Sequence, residues 1–356
     1  MATLSRRTLN RTLLHRQGLL EPWDCRPLTV VERLAGLQAQ APLAPYYGVL
    51  ARLKSHDPAE LSEALETRQT VRLSLMRSTL QLVTAADALA FRAVLAEQLV
   101  KVLPKPLRES PVFDEVNAVA YDLIQEHPRT FAELGPALYQ RFDQHRPDDL
   151  CRMARSGLAL VQVPPRGLWG QSGPSRHAIL QTWLGTELPA PDPQRFIERY
   201  LAAFGPASAA DVAAWSGLTG VGKVVSTMEL TRHHTEAGRE LFDLPTGVII
   251  DEATPAPVTI LAEFDNILLG HADRNRIFDD EHRLKFMSQN GLVASTLLVD
   301  GFVGGHCKME RAKNTLTIQP YQRLTSAVRR AVIAEAERIL ACTDTSHKGE
   351  VTVQPV

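Results

Sequence analysis

The first hundred residues combine helical and strand-like patterns of apolar positions. Thr29 and Glu32 have the spacing of an N-terminal capping box and precede an apolar stripe at helical intervals. Residues 58–66 predict a second helix, and another begins near Thr84. Between them, residues 71–83 alternate apolar and polar side chains as a half-buried strand does. Helices followed by short strands suit a winged helix.

The middle of the chain is predicted to be helical, with two proline-rich breaks at residues 103–112 and 189–193. After the second break, Ser208 and Asp211 form a capping pattern for a helix that Gly217 ends. A helix before it and another after it complete a helix-turn-helix pattern. The same pattern also fits a generic three-helix cluster, so DNA contact does not follow from it alone.

Beyond Gly247 the pattern changes to short runs of β-branched residues. These runs are residues 248–250, 258–261, 284–287, 295–299 and 315–318. The pair Asp300-Gly301 follows one of these runs and is a strong hairpin signal. Strands at this spacing predict a small barrel or sheet, and residues 326–341 predict an amphipathic C-terminal helix.

The composition is that of a globular protein with substantial cores. Of 356 residues, 44 % are hydrophobic and 22 % are charged. No apolar run approaches the ~18 residues that span a bilayer, and arginines interrupt every apolar stretch near the N-terminus. We therefore expect a cytoplasmic protein. The four cysteines are scattered without metal-ligand spacing, which excludes a cysteine-ligated iron–sulfur cluster. We expect neither a metal nor an organic cofactor.

The net charge of −1 hides an asymmetry along the chain. Residues 1–108 carry 15 Lys and Arg against 9 Asp and Glu, whereas the remainder carries 24 against 31. A basic first domain indicates a polyanion partner, although ordinary surface variation gives the same numbers. Arg6 and Arg7 lie in the first turn of a helix opened by Ser5, where the helix macrodipole disfavours cations. A nearby phosphate would offset that cost.

The tripeptide Gln38-Ala39-Gln40 is the candidate for chemistry, because the motifs of nucleotide, serine-hydrolase and zinc-peptidase sites are absent from the sequence. Pro42 pushes Ala41 out of the helical region, so the helix is predicted to end here. In an extended segment, side chains two residues apart point the same way. Two amides would then hold one water between them; the alternative is that both glutamines simply meet solvent.

Five segments resemble the AlkZ-like DNA glycosylases, a branch of the winged-helix YcaQ/AlkZ superfamily. They are LAGLQAQAPLAPYYGVLARL (34–53), VRLSLMRSTLQLV (71–83), YLAAFGPASAADVAAWSGLT (200–219), LAEFDNILLGHADRNRIF (261–278) and LLVDGFVGGHCKMER (297–311). The similarity runs in order from about residue 4 to residue 340. Taken together, these motifs are specific for that family.

The resemblance implies a fold class of mainly α with β. Tandem winged-helix units and a small C-terminal β-barrel would form a C-shaped clamp around duplex DNA. The implied divisions are winged-helix units at 1–103, 113–188 and 194–245, a β-barrel at 246–320 and a C-terminal helix at 321–342. The expected partner is double-stranded DNA that carries alkylated purines. We expect a monomer without membrane contact.

The resemblance also implies that Gln38 and Gln40 are catalytic, and the sister branch carries an acidic residue at the second position. Gln81 stands where many relatives have a histidine, which puts any specificity inferred from them in question. A DNA-probing hairpin is implied near residues 271–276. The expected DNA-binding residues are Arg6, Arg7, Arg77, Ser78, Gln81, His271, Arg274, Asn275, Arg276 and Lys308.

A motif of amides rather than carboxylates restricts the substrate. Ordinary glycoside hydrolysis uses two carboxylates, but an N7-alkylated purine already carries a positive charge and leaves as a neutral base. Two amides that orient a water and stabilise the developing charge then suffice. The resemblance implies a monofunctional DNA glycosylase for N7-alkylguanine. It extends the substrates to bulky natural-product adducts and interstrand crosslinks, in repair or antibiotic self-resistance.

Two other functions are open alternatives. A winged-helix transcriptional regulator would bind undamaged DNA by sequence, but such proteins usually have two-fold symmetry, which three non-identical units in one chain lack. A scaffold that binds protein through its winged helices would show no salt-dependent affinity for DNA. Excision of a damaged base distinguishes the glycosylase from both.

Overall fold

The structure of the protein is a computed structural model that describes residues 2–343 and 349–356. Three 3-10 helices in that part of the chain are Met76–Ser78, Asn266–Leu268 and Arg311–Lys313. The α-helices are α1 (Arg6–Arg16), α2 (Pro27–Arg33), α3 (Ala44–Leu50), α4 (Pro58–Glu66), α5 (Ala85–Lys101), α6 (Lys105–Arg108), α7 (Phe113–Glu126), α8 (Phe131–Tyr139), α9 (Pro147–Gly157), α10 (Leu180–Leu184), α11 (Pro193–Phe204), α12 (Ala209–Ser216), α13 (Val221–Val225), α14 (Asp280–Phe286) and α15 (Ser326–Thr343). The strands are β1 (Thr3–Leu4), β2 (Leu37–Gln38), β3 (Thr70–Ser74), β4 (Leu80–Thr84), β5 (Leu160–Gln162), β6 (His177–Ile179), β7 (Thr231–Thr235), β8 (Glu240–Asp243), β9 (Thr259–Leu261), β10 (Ser295–Val299), β11 (Phe302–Glu310), β12 (Thr315–Pro320) and β13 (Glu350–Val353). None of the described helices is both long enough and apolar enough to cross a lipid bilayer.

An antiparallel sheet of five strands, in the order β2-β4-β3-β5-β6, organises the first half of the chain. The alternating segment 71–83 forms parts of β3 and β4, with Leu73 opposite Gln81. The 3-10 helix Met76–Ser78 makes the turn between them. Strand β5 pairs with β3, so one sheet contains strands from both sides of the proline-rich segment 103–112.

Helix α2 begins earlier than the capping pattern predicted, because Pro27 occupies its first turn. Proline has its φ already set for a helix and lacks the amide that would otherwise need a partner there. The predicted capping box therefore lies inside the helix, and that prediction is wrong. Positive φ angles at Ala35 (52°) and Gly36 (99°) end the helical segment, and the chain reaches Gln38 as a strand.

The second five-stranded sheet, in the order β13-β12-β11-β10-β9, carries much of the C-terminal region. The hairpin predicted at Asp300-Gly301 is confirmed, with φ angles of 49° and 81° at the two turn residues. Strands β9 and β13 are edge strands, so this sheet is open and does not close into a barrel. Two predicted strands are wrong: residues 248–250 are irregular, and residues 284–286 lie in α14, whose acidic first turn favours a helix start.

Residues 193–243 form three helices followed by a hairpin of β7 and β8. The cap predicted for α12 is confirmed. Ser208 Oγ accepts the amide N–H of Asp211 at 3.2 Å, and the Asp211 carboxylate accepts the amide N–H of Ser208 at 2.9 Å. Gly217 ends the helix with a φ of 83°, a conformation that costs glycine little.

One buried ion pair connects two distant parts of the chain. Arg52, just after α3, donates two hydrogen bonds of 2.8 Å to the carboxylate of Asp265, and neither side chain has exposed surface. Gln17, just after α1, accepts a third bond from the same guanidinium at 3.3 Å. Asp265 also accepts the amide N–H of Ile267 and thereby caps the 3-10 helix Asn266–Leu268.

We expect Asp265→Ala to lower the free energy of unfolding by about 3–5 kcal/mol, because it leaves the buried Arg52 guanidinium without its charge partner. Urea unfolding of the purified protein measures this change. Glu115→Ala is the control, since the ion pair of Glu115 with Arg141 is exposed and such pairs contribute about 0–1 kcal/mol. Equal losses in the two variants would contradict a structural role for the buried pair.

Candidate functional site

The two glutamines of the motif lie in different environments. Gln38 ends strand β2 and is 7 % exposed. Gln40 lies at the start of a bend in the chain and is exposed. The strand ends at Gln38, so the expected extended segment that would turn both amides the same way is not confirmed, and the motif presents one buried amide and one accessible amide.

Gln81 lies beside Gln38 in the sheet. The two residues are directly opposite on antiparallel strands β4 and β2, where Cβ atoms stand about 4.5–5.5 Å apart on one face. Gln81 is buried, and its amide nitrogen donates to Thr79 Oγ1 at 2.7 Å. Two motifs that are distant in sequence are thus brought together.

Asn266 holds the backbone of strand β2 from the other half of the chain. Its Oδ1 accepts the amide N–H of Gln38 at 3.2 Å, and its Nδ2 donates to the carbonyl oxygen of Gly36. Arg72 donates to the carbonyl oxygen of Ala39 at 3.0 Å. A two-residue strand makes few ladder hydrogen bonds, so these side chains fix the backbone of the motif.

The side-chain oxygen of Gln38 is an unpaired acceptor. This Oε1 atom is buried and has no hydrogen-bond donor among the described residues. Buried polar atoms in native proteins nearly always have a partner, which is either a protein group or an ordered water. The Gln38 amide is therefore available to accept a hydrogen bond from a water or from a substrate group.

Gln40 borders a cavity of about 240 Å³, whose polar lining includes Arg155, Gln162 and His177. A second cavity of about 700 Å³ begins at Ala41 and extends to the C-terminal sheet. The chain therefore passes from the wall of the smaller cavity to the wall of the larger one directly after the motif. In the part of the chain that the structure describes, no group of three or more His, Cys, Asp and Glu side chains is placed to hold a metal ion.

Several arginines in this region lie more than 4.0 Å from every described carboxylate oxygen, and Arg77, Arg155 and Arg274 are among them. Arg77 occupies a left-handed turn with a φ of 54° and donates to the carbonyl oxygen of Trp215 at 2.6 Å. Burial, and secondly the charge of Arg274, lower the pKa of Arg77 to about 10. Arg155 donates to the carbonyl oxygen of Ser78 at 3.4 Å. Positive charges without a carboxylate partner attract anions.

Arg6 and Arg7 were expected to bind phosphate at the start of α1, but the protein itself supplies their counter-charges. Arg6 pairs with Asp279 at 2.8 Å, and Arg7 pairs with Asp300 at 2.7 Å. The unfavourable position of two cations in the first turn is therefore offset by carboxylates. The physical reason for expecting a phosphate there no longer holds.

Three further residues of the expected interface are exposed or half-buried. Lys308 is exposed and pairs with Glu310 at 3.0 Å. Asn275 is exposed, and its carbonyl oxygen accepts a hydrogen bond from Arg6 at 2.6 Å. The side chain of Ser78 is half-buried in the turn that carries Arg77.

His271 and Arg276 are buried, although a surface contact with DNA was expected for both. His271 Nε2 lies 3.0 Å from the carbonyl oxygen of Phe204, and burial lowers the pKa of this histidine to about 3. Arg276 donates to the carbonyl oxygen of Pro206 at 2.9 Å. Both neighbour the buried carboxylate of Asp211. These side chains belong to an internal polar network and are not presented to a ligand.

Four residues of the site were not predicted from the sequence, namely Asn266, Arg155, Gln162 and His177. Arg155 and the strand residues Gln162 and His177 reach the site through tertiary packing, and no local pattern marks them. Asn266 falls within the resembling segment 261–278, which is the one signal that pointed to its neighbourhood.

The comparisons with known proteins indicate one family. The family model described as "DNA glycosylase AlkZ-like" matches residues 31–342. Among solved structures, the chain is similar in fold to the DNA glycosylase AlkZ of Streptomyces sahachiroi, with a TM-score of 0.83 and 22 % sequence identity over 99 % of this chain and 100 % of that chain. A search of the curated proteins found no match. Because the family model spans most of the chain, the protein belongs to the AlkZ-like DNA glycosylase family.

Proposed function

We propose that this protein is a monofunctional DNA glycosylase that hydrolyses the bond between C1′ and N9 of N7-alkylguanine in duplex DNA and leaves an abasic site. The observation that carries the proposal is the Gln38 amide oxygen, a buried acceptor without a donor on the strand that bears the Gln-x-Gln motif. Membership of the AlkZ-like family supports the reaction class.

The proposed reaction needs no general acid. Alkylation at N7 places a positive charge on the base, so the electron pair of the breaking C1′–N9 bond moves to N9 and the base leaves neutral. Positive charge develops on the sugar, and the oxygen of a water molecule attacks C1′. The proton that this water loses passes to bulk solvent, since side-chain amides are not among the groups that titrate in proteins.

The two glutamines act on the water and on the developing sugar cation. Gln38 accepts a hydrogen bond from the attacking water, and Gln40 turns the negative end of its amide dipole towards C1′. Fixed dipoles aimed at developing charge lower the barrier without any rearrangement at the moment of reaction. Asn266 touches only the backbone of Gln38 and Gly36, so we assign it as a positioning residue.

The proposed DNA surface is centred on Arg77, Arg155 and Arg274, whose positive charges lack carboxylate partners. Backbone phosphates of a duplex would supply the missing negative charge. Asn275 and Lys308 are exposed and extend this surface. Gln81 is buried beside Gln38, so we assign it to the motif, as a third amide, rather than to this surface.

The arrangement of winged-helix units at 1–103, 113–188 and 194–245 is part of the same proposal, with the β segment 246–320 and the helix 321–342 completing a C-shaped clamp. The three helices and hairpin between residues 193 and 243 support the third unit. A monomer that acts in the cytoplasm fits this arrangement.

The substrate class follows from the missing acid. Uncharged lesions such as uracil are expected to be poor substrates, because without a general acid their bases leave as anions, which are poorer leaving groups than a neutral base. Bulky natural-product adducts and interstrand crosslinks at N7 carry the same cationic base and belong to the proposed substrates. The proposed role is therefore DNA repair or antibiotic self-resistance.

We expect Gln38→Ala and Gln40→Ala each to slow excision of N7-methylguanine by about 10²–10³-fold, because each removes one fixed dipole from the transition state. The assay incubates the protein with a duplex that carries one lesion, converts abasic sites to strand breaks with alkali and separates the products on a denaturing gel.

Gln144→Ala is the matched control for this pair, since Gln144 is an exposed glutamine and its loss should leave the rate unchanged. Intact DNA after incubation with folded wild-type protein that binds duplex would contradict the proposal. That outcome would favour the transcriptional regulator.

The enzymatic rate divided by the rate of spontaneous base loss should stay constant within about twofold between about pH 6 and 8, because amides do not titrate there. Division by the spontaneous rate removes the titration of the base itself. Burial lowers the pKa of His177 at the smaller cavity to about 4, so this histidine is neutral throughout the range. A tenfold change per pH unit, measured in single-turnover reactions, would reveal a titrating general base.

Asn266→Ala should slow the single-turnover excision rate by about 10²-fold and leave the affinity for undamaged duplex unchanged, because only the backbone of β2 loses its support. Asn10→Ala is matched for stability, since the buried Asn10 amide likewise makes two hydrogen bonds with distant backbone, in this case by donating to the carbonyl oxygens of Arg276 and Gly301. Equal rates in the two variants would refute the positioning role.

A further inference from the structure

Two side chains that line the smaller cavity each carry a buried polar atom without a partner. Gln162 Oε1 and His177 Nδ1 are buried and make no hydrogen bond with the described residues, and both side chains line the cavity that Gln40 borders. His177 is 6 % exposed. Unpaired buried polar atoms are uncommon in native proteins and call for a partner. Their presence in one cavity next to the motif indicates a polar ligand.

We propose that this cavity receives the guanine of a small N7-alkyl monoadduct after it has rotated out of the duplex, whereas a guanine crosslinked to the opposite strand stays in the duplex and does not enter it. The inference rests on the proposed glycosylase activity and adds the place where the damaged base is held. Enzymes that act on a base within a duplex commonly extrude it into a pocket, where they read its hydrogen-bonding edge.

The dimensions of the cavity suit a single heterocycle. Its volume of about 240 Å³ lies below the roughly 300–1,000 Å³ of pockets that enclose drug-sized ligands. Its apolar walls come from Leu80, Leu158, Leu160 and Phe131. These apolar side chains can pack against the faces of a purine. The polar side chains of the cavity can then form hydrogen bonds with the edge of the base.

The polar groups of the cavity match the edge of guanine. Guanine offers N–H donors at N1 and at its exocyclic amine, and it offers an acceptor at O6. The unpaired Gln162 Oε1 supplies an acceptor, and the Arg155 guanidinium supplies donors. Burial lowers the pKa of His177 to about 4, so its ring adds polarity without a second positive charge.

Arg155 also connects the cavity to the proposed DNA surface. Its guanidinium donates to Ser74 Oγ at 3.3 Å and to the carbonyl oxygen of Ser78 at 3.4 Å, which places it beside the turn of Arg77. The N7-alkylated base enters with a positive charge and leaves without one. The positive charge of Arg155 therefore raises the free energy of the bound substrate more than that of the transition state. Such a difference is the condition for accelerating the reaction.

The test uses a variant that fills the cavity and one that removes an acceptor. Ser175 lines the cavity outside the regular strands and is half-buried, so Ser175→Trp blocks the space. Gln162→Leu removes the unpaired amide oxygen and keeps an apolar side chain of similar length. Ser55→Trp is the control, because Ser55 is an exposed loop serine that lines neither cavity.

Two measurements are made on each protein. The first is the single-turnover excision of N7-methylguanine. The second is the fluorescence of 2-aminopurine placed next to an N7-methylguanine whose 2′-fluoroarabinose resists hydrolysis, because this fluorescence rises when the neighbouring base leaves the stack. Duplex affinity is recorded in parallel.

We expect wild type and Ser55→Trp to increase the fluorescence and to excise the base. Ser175→Trp should abolish the fluorescence rise and slow excision by about 10²-fold, and Gln162→Leu should slow excision by about tenfold, both with duplex affinity unchanged. Gln162→Leu remains informative if the tryptophan variant does not fold.

Excision by wild type without a fluorescence rise, or excision that neither cavity variant slows, would overturn the base pocket and leave the glycosylase proposal standing. A fluorescence rise without excision would overturn the glycosylase proposal and support the pocket. The two inferences therefore fail separately.

Discussion

The Gln-x-Gln motif depends on contacts that its own strand cannot supply. Strand β2 is two residues long, and so short a strand gains little order from ladder hydrogen bonds. Asn266, which is 228 residues from Gln38 in sequence, holds its backbone. The buried ion pair of Arg52 and Asp265 in turn holds the 3-10 helix on which Asn266 lies. The geometry of the motif is thus set by the contact between distant parts of the chain.

This dependence gives the buried ion pair a role that its stability alone does not explain. The free energy lost when two charges are removed from water offsets much of their mutual attraction, so such pairs are weak evidence for net stabilisation. The two parallel hydrogen bonds of the pair do, however, form only when the two segments stand in one relative position. Here that position determines where Asn266 meets Gly36 and Gln38, and catalytic groups require accuracy of this kind.

Local signals in the sequence predicted local structure well. The Ser208 cap and the Asp300-Gly301 hairpin involve residues within three positions of each other, and both are present. The capping box at Thr29 failed because the proline two positions earlier is an even stronger start signal. His271 and Arg276 have the composition of a surface turn, and only tertiary packing buries them. For the same reason, the sequence did not predict Arg155 and Asn266 as site residues, because only tertiary packing brings them to the motif.

The buried position of Gln38 gives a physical reason for a motif made of amides. A carboxylate at a site with 7 % exposure would lose its hydration, and its pKa would rise until the group became neutral. A carboxylate that stayed ionised would attract the cationic base before any bond breaks, which stabilises the substrate rather than the transition state. An amide dipole is weaker and directional, so its effect is concentrated where positive charge develops on the sugar. In the proposed reaction the positive charge moves from the base, next to Arg155, to the sugar, next to the glutamines. Arg155 repels the charge on the base and the amide dipoles stabilise it on the sugar, so both favour the reaction.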